Sequence, residues 1–585
     1  MALLSGNEAV ARGAYEHGVR VATAYPGTPS TEILENIAGY DEIDAQWSTN
    51  EKVAFEVALG AAFGGARALV ALKHVGLNVA ADPLFSSVHT GVTGGFIIIS
   101  ADDPGMHSSQ NEQDNRLYAR FAKLPLIEPS DGQECLDFLG VALDLSEEYG
   151  IPVLFRMSTR ICHSMTPVEI GSRREVEVKD YEKDIGRRLL IPAHARRRHA
   201  RLEEKLVELR QAAEDSPLNR VEDGARKIGI VTSGISYQYA KEAMPDACFL
   251  KLGFSYPFPE VLVRDFAKRF DCLHVVEEGE PFLEEQIAAL GIPVVGKERI
   301  PACGELDQGI VARALNGGAG GKGRGSEPAS TPPRPPVLCP GCPHRGFFYQ
   351  VNKMRLTVTG DIGCYTLGAL EPLNGMDTCV CMGASIGNAL GFEKAQGRAF
   401  ARKTVAVIGD STFLHSGITG LIDMVYNHGT VTVVILDNSV TAMTGHQEHA
   451  GTGKTLRGEP AHAVDCQELA RAVGVKHVKE VDAFDLGAVS EALAEATDTE
   501  EASVIVVRGE CILRIRDRWG PALAVDPETC TACGVCLKLG CPAISRDAEG
   551  KAVIDASLCV GEVCSMCAQV CPKGCIEVGK GGGDR

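Results

Sequence analysis

Nine of the chain's 21 cysteines fall between Cys530 and Cys575, and their spacing suits metal ligation. Cys530, Cys533 and Cys536 form a CxxCxxC run followed by Cys541-Pro542. A second run, Cys559, Cys564 and Cys567, is followed by Cys571-Pro572. Short spacings let one tight loop aim three thiolates at a single iron–sulfur cubane, and the fourth ligand then comes from the other run. Cluster one is therefore expected on Cys530, Cys533, Cys536 and Cys571, and cluster two on Cys541, Cys559, Cys564 and Cys567. Cys575 is left over as a structural thiol. Four residues separate Cys536 from Cys541, and four separate Cys559 from Cys564, where three and two are usual. Zinc is the alternative occupant of paired CxxC sequences. Eight cysteines in two interlocked runs with trailing Cys-Pro favour two [4Fe-4S] clusters, hence transfer of single electrons generated upstream.

A second constellation offers hard oxygens. The strand Thr404 to Ile408 runs into Gly409-Asp410-Ser411, and the next strand, VTVVILDN, ends at Asn438. Both side chains then lie at the carboxyl ends of nearby strands, where α/β sheets bind ligands, and both suit Mg²⁺. Gly-Asp and Asp-Asn also end ordinary strands, so the pair needs company. Further upstream, Asn50-Glu51 precedes an Ala/Gly-rich helix, and Tyr25-Pro26-Gly27-Thr28-Pro29-Ser30 forms a turn before a helix from Thr31. A Pro-Gly turn can cap that helix without any ligand.

These residues need an α/β scaffold, and the sequence supplies one. From the start to about residue 160, β-rich runs (Val19–Ala24, Ala68–Leu72, Gly95–Ser100, Val153–Met157) alternate with helical stretches (Glu51–Gly64, Gln133–Glu148), which implies a parallel sheet covered by helices. The segmentation is 1–190, a first α/β domain; 191–226, an amphipathic helical connector; 227–315, a second α/β unit; 316–336, a Gly/Pro linker; 337–515, a third α/β domain; and 516–585, the cysteine-rich α+β tail. The segment GTGKT at Gly451–Thr455 ends like a phosphate-binding loop, but Glu448 stands where the first glycine is needed.

The Gly-Asp-Ser and Asp-Asn pair resembles the thiamine diphosphate motif, with Ser411 replacing a glycine and Asp437 an asparagine. By that resemblance Asp410, Asn438 and the Val440 carbonyl hold Mg²⁺, Gly409 and Ser411 approach the diphosphate, and the segment Met382-Gly383-Ala384-Ser385 faces the aminopyrimidine ring. The Asn50-Glu51 segment and the Tyr25–Ser30 turn resemble those of 2-oxoacid:ferredoxin oxidoreductases. Glu51 is then the glutamate that activates thiamine, with Glu56 its rival, and Thr28 lies near the substrate carboxylate. Cys339, Cys342, Cys364 and Cys511 are candidates for a third cluster, or ordinary buried thiols. The arginine that grips the carboxylate in simpler members is missing after Phe96–Ser100, where Ala101-Asp102-Asp103-Pro104 follows; His74, His107 or Arg116 could substitute.

Taken over almost the whole chain, the resemblance is to the alpha subunits of the indolepyruvate branch of that family. It implies three parallel-sheet thiamine-fold domains with a transketolase C-terminal-like middle unit, and a double-cluster ferredoxin-like α+β tail. It also implies oxidative decarboxylation of aryl pyruvates with coenzyme A and ferredoxin, and a small beta subunit supplying a gamma domain in an α2β2 assembly. The competing readings are a non-oxidative thiamine-dependent decarboxylase or synthase with structural clusters, and an electron-transfer subunit whose thiamine site has decayed. The net charge of −19 argues against a nucleic-acid partner. No run reaches membrane-span length, and no secretory signal opens the chain, so a cytoplasmic protein is expected. Ferredoxins are themselves usually acidic, which leaves either the basic stretch Arg196 to Arg201 or the partner subunit to dock the carrier.

Overall fold

The structure is a computed structural model describing residues 1–316 and 335–579. The chain divides into two compact units, Met1–Ser330 and Thr331–Arg585; the expected linker falls, from 317 to 334, outside the described residues. Among the described residues no helix is long and apolar enough to cross a membrane.

The main sheet of the amino-terminal unit has seven strands, in the order Phe254–Tyr256, Leu126–Ile127, Val153–Ser158, Phe96–Asp102, Ala68–Lys73, Val21–Ala24 and Asp44–Trp47. All neighbours are parallel except the first pair. The three strands Ala68–Lys73, Phe96–Asp102 and Val153–Ser158 are buried at every position. Helices cover both faces, so these strands read as continuous apolar runs without alternation. The helix Glu51–Phe63 starts where the Asn50 side chain accepts a hydrogen bond from Val53 N at 2.9 Å, a cap worth about 1 kcal/mol. Its small buried residues Ala54, Ala58 and Ala62 recur every fourth position and let the helix lie close to the sheet. Phe55 meets Phe96 edge-on, with ring centroids 5.1 Å apart.

A second sheet in this unit runs Val294–Val295, Leu273–Val276, Gly229–Ser233, Cys248–Leu252 and Arg220–Glu222. The last strand joins antiparallel, so the sheet starts before the boundary expected at 227. Three residues reading Arg-Val-Glu carry no strand period that could announce it. The connector is the 23-residue helix Pro192–Glu214, with Leu202 and Leu209 buried. On it Arg198 donates to the His89 carbonyl and Arg201 pairs with Glu204 and Glu208, while Arg196 and Arg197 are exposed.

In the carboxy-terminal unit six parallel strands run Thr378–Cys379, Thr357–Gly360, Thr404–Gly409, Thr432–Asp437, Ser503–Arg508 and His477–Asp482. The order reverses between Thr357–Gly360 and Thr404–Gly409, which opens a crevice beyond their carboxyl ends. The tail follows as two antiparallel ribbons, Leu523–Val525 with Ile576–Val578 and Ile544–Arg546 with Ala552–Ile554. It docks on the sheet domain through Gln569, which accepts from Leu486 N and donates to Phe484 O.

Candidate functional site

In the amino-terminal unit three segments meet at the carboxyl edge of the main sheet. The turn Tyr25–Ser30 leaves the strand Val21–Ala24; the adjacent strand Ala68–Lys73 ends in Lys73-His74; Glu51 opens its helix. A Cβ built on Gly27 would stand 3.0 Å from Lys73 Cβ, so turn and lysine are in contact. Thr28 is half-buried on this turn. Glu51 is 5% exposed and its side chain lies over Gly76, whereas Glu56 is exposed and paired with Lys52.

The three candidates for the missing arginine are otherwise engaged. His74 is fully buried, with Nε2 3.2 Å from the Asn111 carbonyl. His107 is half exposed beside Glu305. The Arg116 guanidinium is locked among Asp114, Glu277 and two backbone carbonyls. Lys73 is the cation that borders the turn. Its Nζ donates to the Ser108 carbonyl at 2.7 Å, and burial pushes the amine down to about 8, with Asp103 opposing.

In the carboxy-terminal unit Asp410 and Asn438 each follow the last residue of adjacent parallel strands, paired Gly409 to Leu436. The end of the Asn438 amide lies 3.3 Å from Asp410 Oδ1 and 2.8 Å from the Val440 carbonyl oxygen. With its oxygen turned inward, three oxygens converge there. Neighbouring ligands of an octahedral Mg²⁺ with bonds near 2.1 Å stand about 3 Å apart, so the triad fits that ion. Asp410 is buried, which works against its charge, yet His449 and the Ser411 amide hold its carboxyl below the usual range. His449 Nε2 stands 3.3 Å from Asp410 Oδ2, without hydrogen-bond alignment. Ser411 Oγ is 2.9 Å from Thr441 Oγ1.

The segment Met382–Ser385 is tied down by Asp361, whose carboxylate accepts from Gly383 N and Ser385 N. Gly383 has φ +87°, and a Cβ there would lie 2.3 Å from Ser416 Oγ, so only glycine fits. Ser416 Oγ in turn donates to the Met382 carbonyl.

The tail cysteines line two separate cavities. Cys541, Cys559, Cys564 and Cys567 line one; Cys530, Cys533, Cys536 and Cys571 line the other. Cys575, expected as a structural thiol, also lines the second cavity, with its sulfur 3.3 Å from that of Cys571. Among the described residues no three of His, Cys, Asp or Glu close on one ion. Burial pushes the Cys564 and Cys567 thiols up to about 11 and about 12, with Cys541 and Cys559 adding to it. Binding a metal through these thiols would therefore expel protons.

Cys339, Cys342, Cys364 and Cys511 form one electrostatic group. Burial raises Cys342 to about 12 and Cys364 to about 11, and beyond burial Cys339 and Cys364 act on Cys342, Cys511 and Cys339 on Cys364, and Cys339 on Cys511. Cys511 N donates to the Asn438 carbonyl at 3.0 Å, which joins this group to the oxygen triad.

Residues 361–507 match the model for the C-terminal TPP-binding domain of thiamine pyrophosphate enzymes. Residues 12–217 match the thiamine-binding part of pyruvate flavodoxin/ferredoxin oxidoreductases. Over 99% of this chain and 97% of the relative, the sequence is 42% identical to indolepyruvate oxidoreductase subunit IorA of Archaeoglobus fulgidus. The chain belongs to the indolepyruvate oxidoreductase subunit IorA family. The IorA of Methanothermobacter thermautotrophicus is 43% identical over 99% of this chain and 97% of its own. The solved 2-oxoglutarate:ferredoxin oxidoreductase of Magnetococcus marinus aligns with a TM-score of 0.46 and 18% identity, covering 54% of this chain and 64% of that one.

As a member of the IorA family the chain is an oxidoreductase that binds thiamine diphosphate. Three polar residues beside the candidate residues of the two units were not singled out from the sequence. Lys73 follows an apolar strand and passes for an ordinary strand end. His449 sits beside the discounted GTGKT segment. Arg345 ends Cys339-Pro340-Gly341-Cys342-Pro343-His344-Arg345, where the cysteines drew the attention.

Proposed function

We propose that the chain is the alpha subunit of an enzyme that oxidatively decarboxylates aryl pyruvates of the indolepyruvate kind. One 2-oxoacid anion, one coenzyme A thiol and two oxidised ferredoxins give one aryl-acetyl-CoA, one CO₂, one proton and two reduced ferredoxins. The observation that carries the reading is the company of the oxygen triad: Asn438 is one hydrogen bond from Cys511, in the same unit as the eight tail cysteines. A thiamine site that only decarboxylates has no use for a cysteine relay beside it.

Bound thiamine diphosphate supplies the electron sink for decarboxylation. Asp410, Asn438 and the Val440 carbonyl would hold Mg²⁺ against the diphosphate, which Gly409 and Ser411 approach; Met382, Gly383 and Ser385 would line the aminopyrimidine side. Glu51 would share a proton with pyrimidine N1′, the hydrogen bond that sets the ring's tautomer. Lys73 would take the substrate carboxylate as a point charge, with Thr28 as a neighbouring donor. A lysine has no planar fork, so it tolerates more orientations of a bulky aryl substrate than arginine does. Cys530, Cys533, Cys536 and Cys571 would hold one [4Fe-4S] cluster, Cys541, Cys559, Cys564 and Cys567 a second, and Cys339, Cys342, Cys364 and Cys511 a third. A small beta subunit completes an α2β2 assembly in the cytoplasm.

The test is anaerobic. The complex with its partner subunit, given indolepyruvate and coenzyme A, bleaches its cluster absorbance only when thiamine diphosphate and Mg²⁺ are bound. Aldehyde formed while the clusters stay oxidised would overturn the proposal in favour of a non-oxidative decarboxylase.

A further inference from the structure

Arg345 is a buried charge without a carboxylate partner among the described residues. It is 2% exposed and is the second residue of the helix His344–Met354, just after the Cys339–Cys342 loop. Its Nη1 donates to the Leu539 carbonyl at 2.7 Å, and its Nη2 donates to the carbonyls of Leu338 at 2.7 Å and Cys339 at 3.0 Å. Its Nε has no hydrogen-bond partner among the described residues, and none of its partners is a carboxylate. Carbonyl oxygens satisfy donors but cancel no charge, and buried guanidinium groups are ordinarily paired with anions.

The surroundings identify the missing anion. Arg345, Pro340 and Gly341 line the cavity that Cys541, Cys559, Cys564 and Cys567 surround. Leu539, which Arg345 grips, lies in the loop between Cys536 and Cys541. The positive charge reaches Cys564 on one side and Cys342 on the other. A [4Fe-4S]²⁺ core with four thiolates carries a net charge of about −2, and one more negative charge when reduced. Such a group in this cavity would give Arg345 the partner that the polypeptide withholds.

We propose that Arg345 is the buried counter-ion of the cluster held by Cys541, Cys559, Cys564 and Cys567, raising its reduction potential and clamping the Cys339–Cys342 loop against it. The inference rests on the reading of the tail cysteines as cluster ligands. The added electron increases the negative charge beside a fixed cation in a low-dielectric interior, so reduction is favoured. The same guanidinium fastens the loop of one cysteine group to the loop of the other, so its placement both tunes the acceptor and sets the gap that an electron crosses. Arg345 is thus a positioning and tuning residue that touches no substrate.

The experiment is an anaerobic redox titration of the whole complex followed by electron paramagnetic resonance, with iron and sulfide counted on the same samples. In Arg345→Gln the iron content stays at the wild-type value, and reduction of one cluster weakens about tenfold, which is about 59 mV for a one-electron couple. The cluster on Cys530, Cys533, Cys536 and Cys571 keeps its potential. Full iron with every potential unchanged would overturn the proposal. Arg345→Lys keeps the charge but not the fork to three carbonyls, and remains informative if the glutamine variant loses iron. Full iron and a near-wild-type potential in the lysine variant support the proposal; full iron with a tenfold weakening overturns it. A wild-type complex that carries no iron and sulfide overturns the cluster reading itself, and is seen before any variant is made.

Discussion

Gly76 lies directly beneath Glu51: a Cβ built on Gly76 would stand 2.8 Å from both Cγ and Oε1 of the glutamate. Alanine suits the helix His74–Val79 better than glycine by roughly 1 kcal/mol, so Gly76→Ala has no intrinsic reason to unfold the chain. It must instead displace the carboxylate. A misplacement near 1 Å costs about 100-fold in rate, and that loss is expected in turnover with saturating thiamine, at an unchanged or higher melting temperature. Glu51→Gln should lose at least as much, and the double variant no more than Glu51→Gln alone, because both act through one proton. Full turnover in Gly76→Ala would reject Glu51 as the activating residue.

The oxygen triad predicts a metal phenotype separable from the clusters. Asn438→Ala removes one inward oxygen and leaves Asp410 and the Val440 carbonyl. The Mg²⁺ concentration for half-maximal thiamine binding, followed by quenching of intrinsic fluorescence, should rise about 10- to 100-fold, with iron content unaltered. An unchanged Mg²⁺ midpoint would move the ion site elsewhere.

The features that could be read from the sequence are those whose partners are close in the chain or fixed by strand geometry. Cysteine spacing brought together the two quartets that line separate cavities, and strand ends put Asp410 and Asn438 on neighbouring carboxyl termini. What could not be read is decided by partners far away. Arg345 is defined by Leu539, 194 residues later, and Arg116 was unavailable for substrate because Glu277, 161 residues later, already holds it. Lys73 ends an apolar strand, and what gives it a role there is contact with Gly27 and Ser108, both distant in the chain. The antiparallel strand Arg220–Glu222 is too short and too charged for any periodicity to reveal.

Lys73 predicts a pH dependence. Burial holds its amine at about 8, below the ordinary lysine value of 10.5. Between those two values the unfolded chain binds more protons than the folded one, so this residue makes stability rise with pH there. Substrate binding runs the other way, because the ammonium form that would grip a carboxylate is lost as pH passes 8. KM for indolepyruvate should be flat up to about pH 7.5 and climb above 8, with kcat much less affected. Lys73→Met should raise KM about 10- to 100-fold below pH 8, the worth of one charge-assisted hydrogen bond, and abolish the climb. A KM that keeps its pH profile in Lys73→Met would exclude the lysine from the substrate site.

Cys511 decides whether the relay begins beside thiamine or only in the tail. Its amide is bonded to the Asn438 carbonyl and its thiol belongs to the group with Cys339 and Cys364, so a cluster there would stand next to the Mg²⁺ triad and shorten the first electron hop. Three clusters require about twelve iron and twelve sulfide per chain, and two require about eight. Cys511→Ala should lower the count by about four of each while both tail-cluster signals persist under dithionite. Because the tail ligands are untouched, dithionite should still reduce the tail clusters at wild-type rate, whereas indolepyruvate with coenzyme A should reduce them far more slowly. That split between chemical and substrate reduction is the decisive readout, since a merely unstable protein would lose both. About eight iron in the wild type, with no change in Cys511→Ala, would make the four residues ordinary buried thiols and send the electrons directly to the tail.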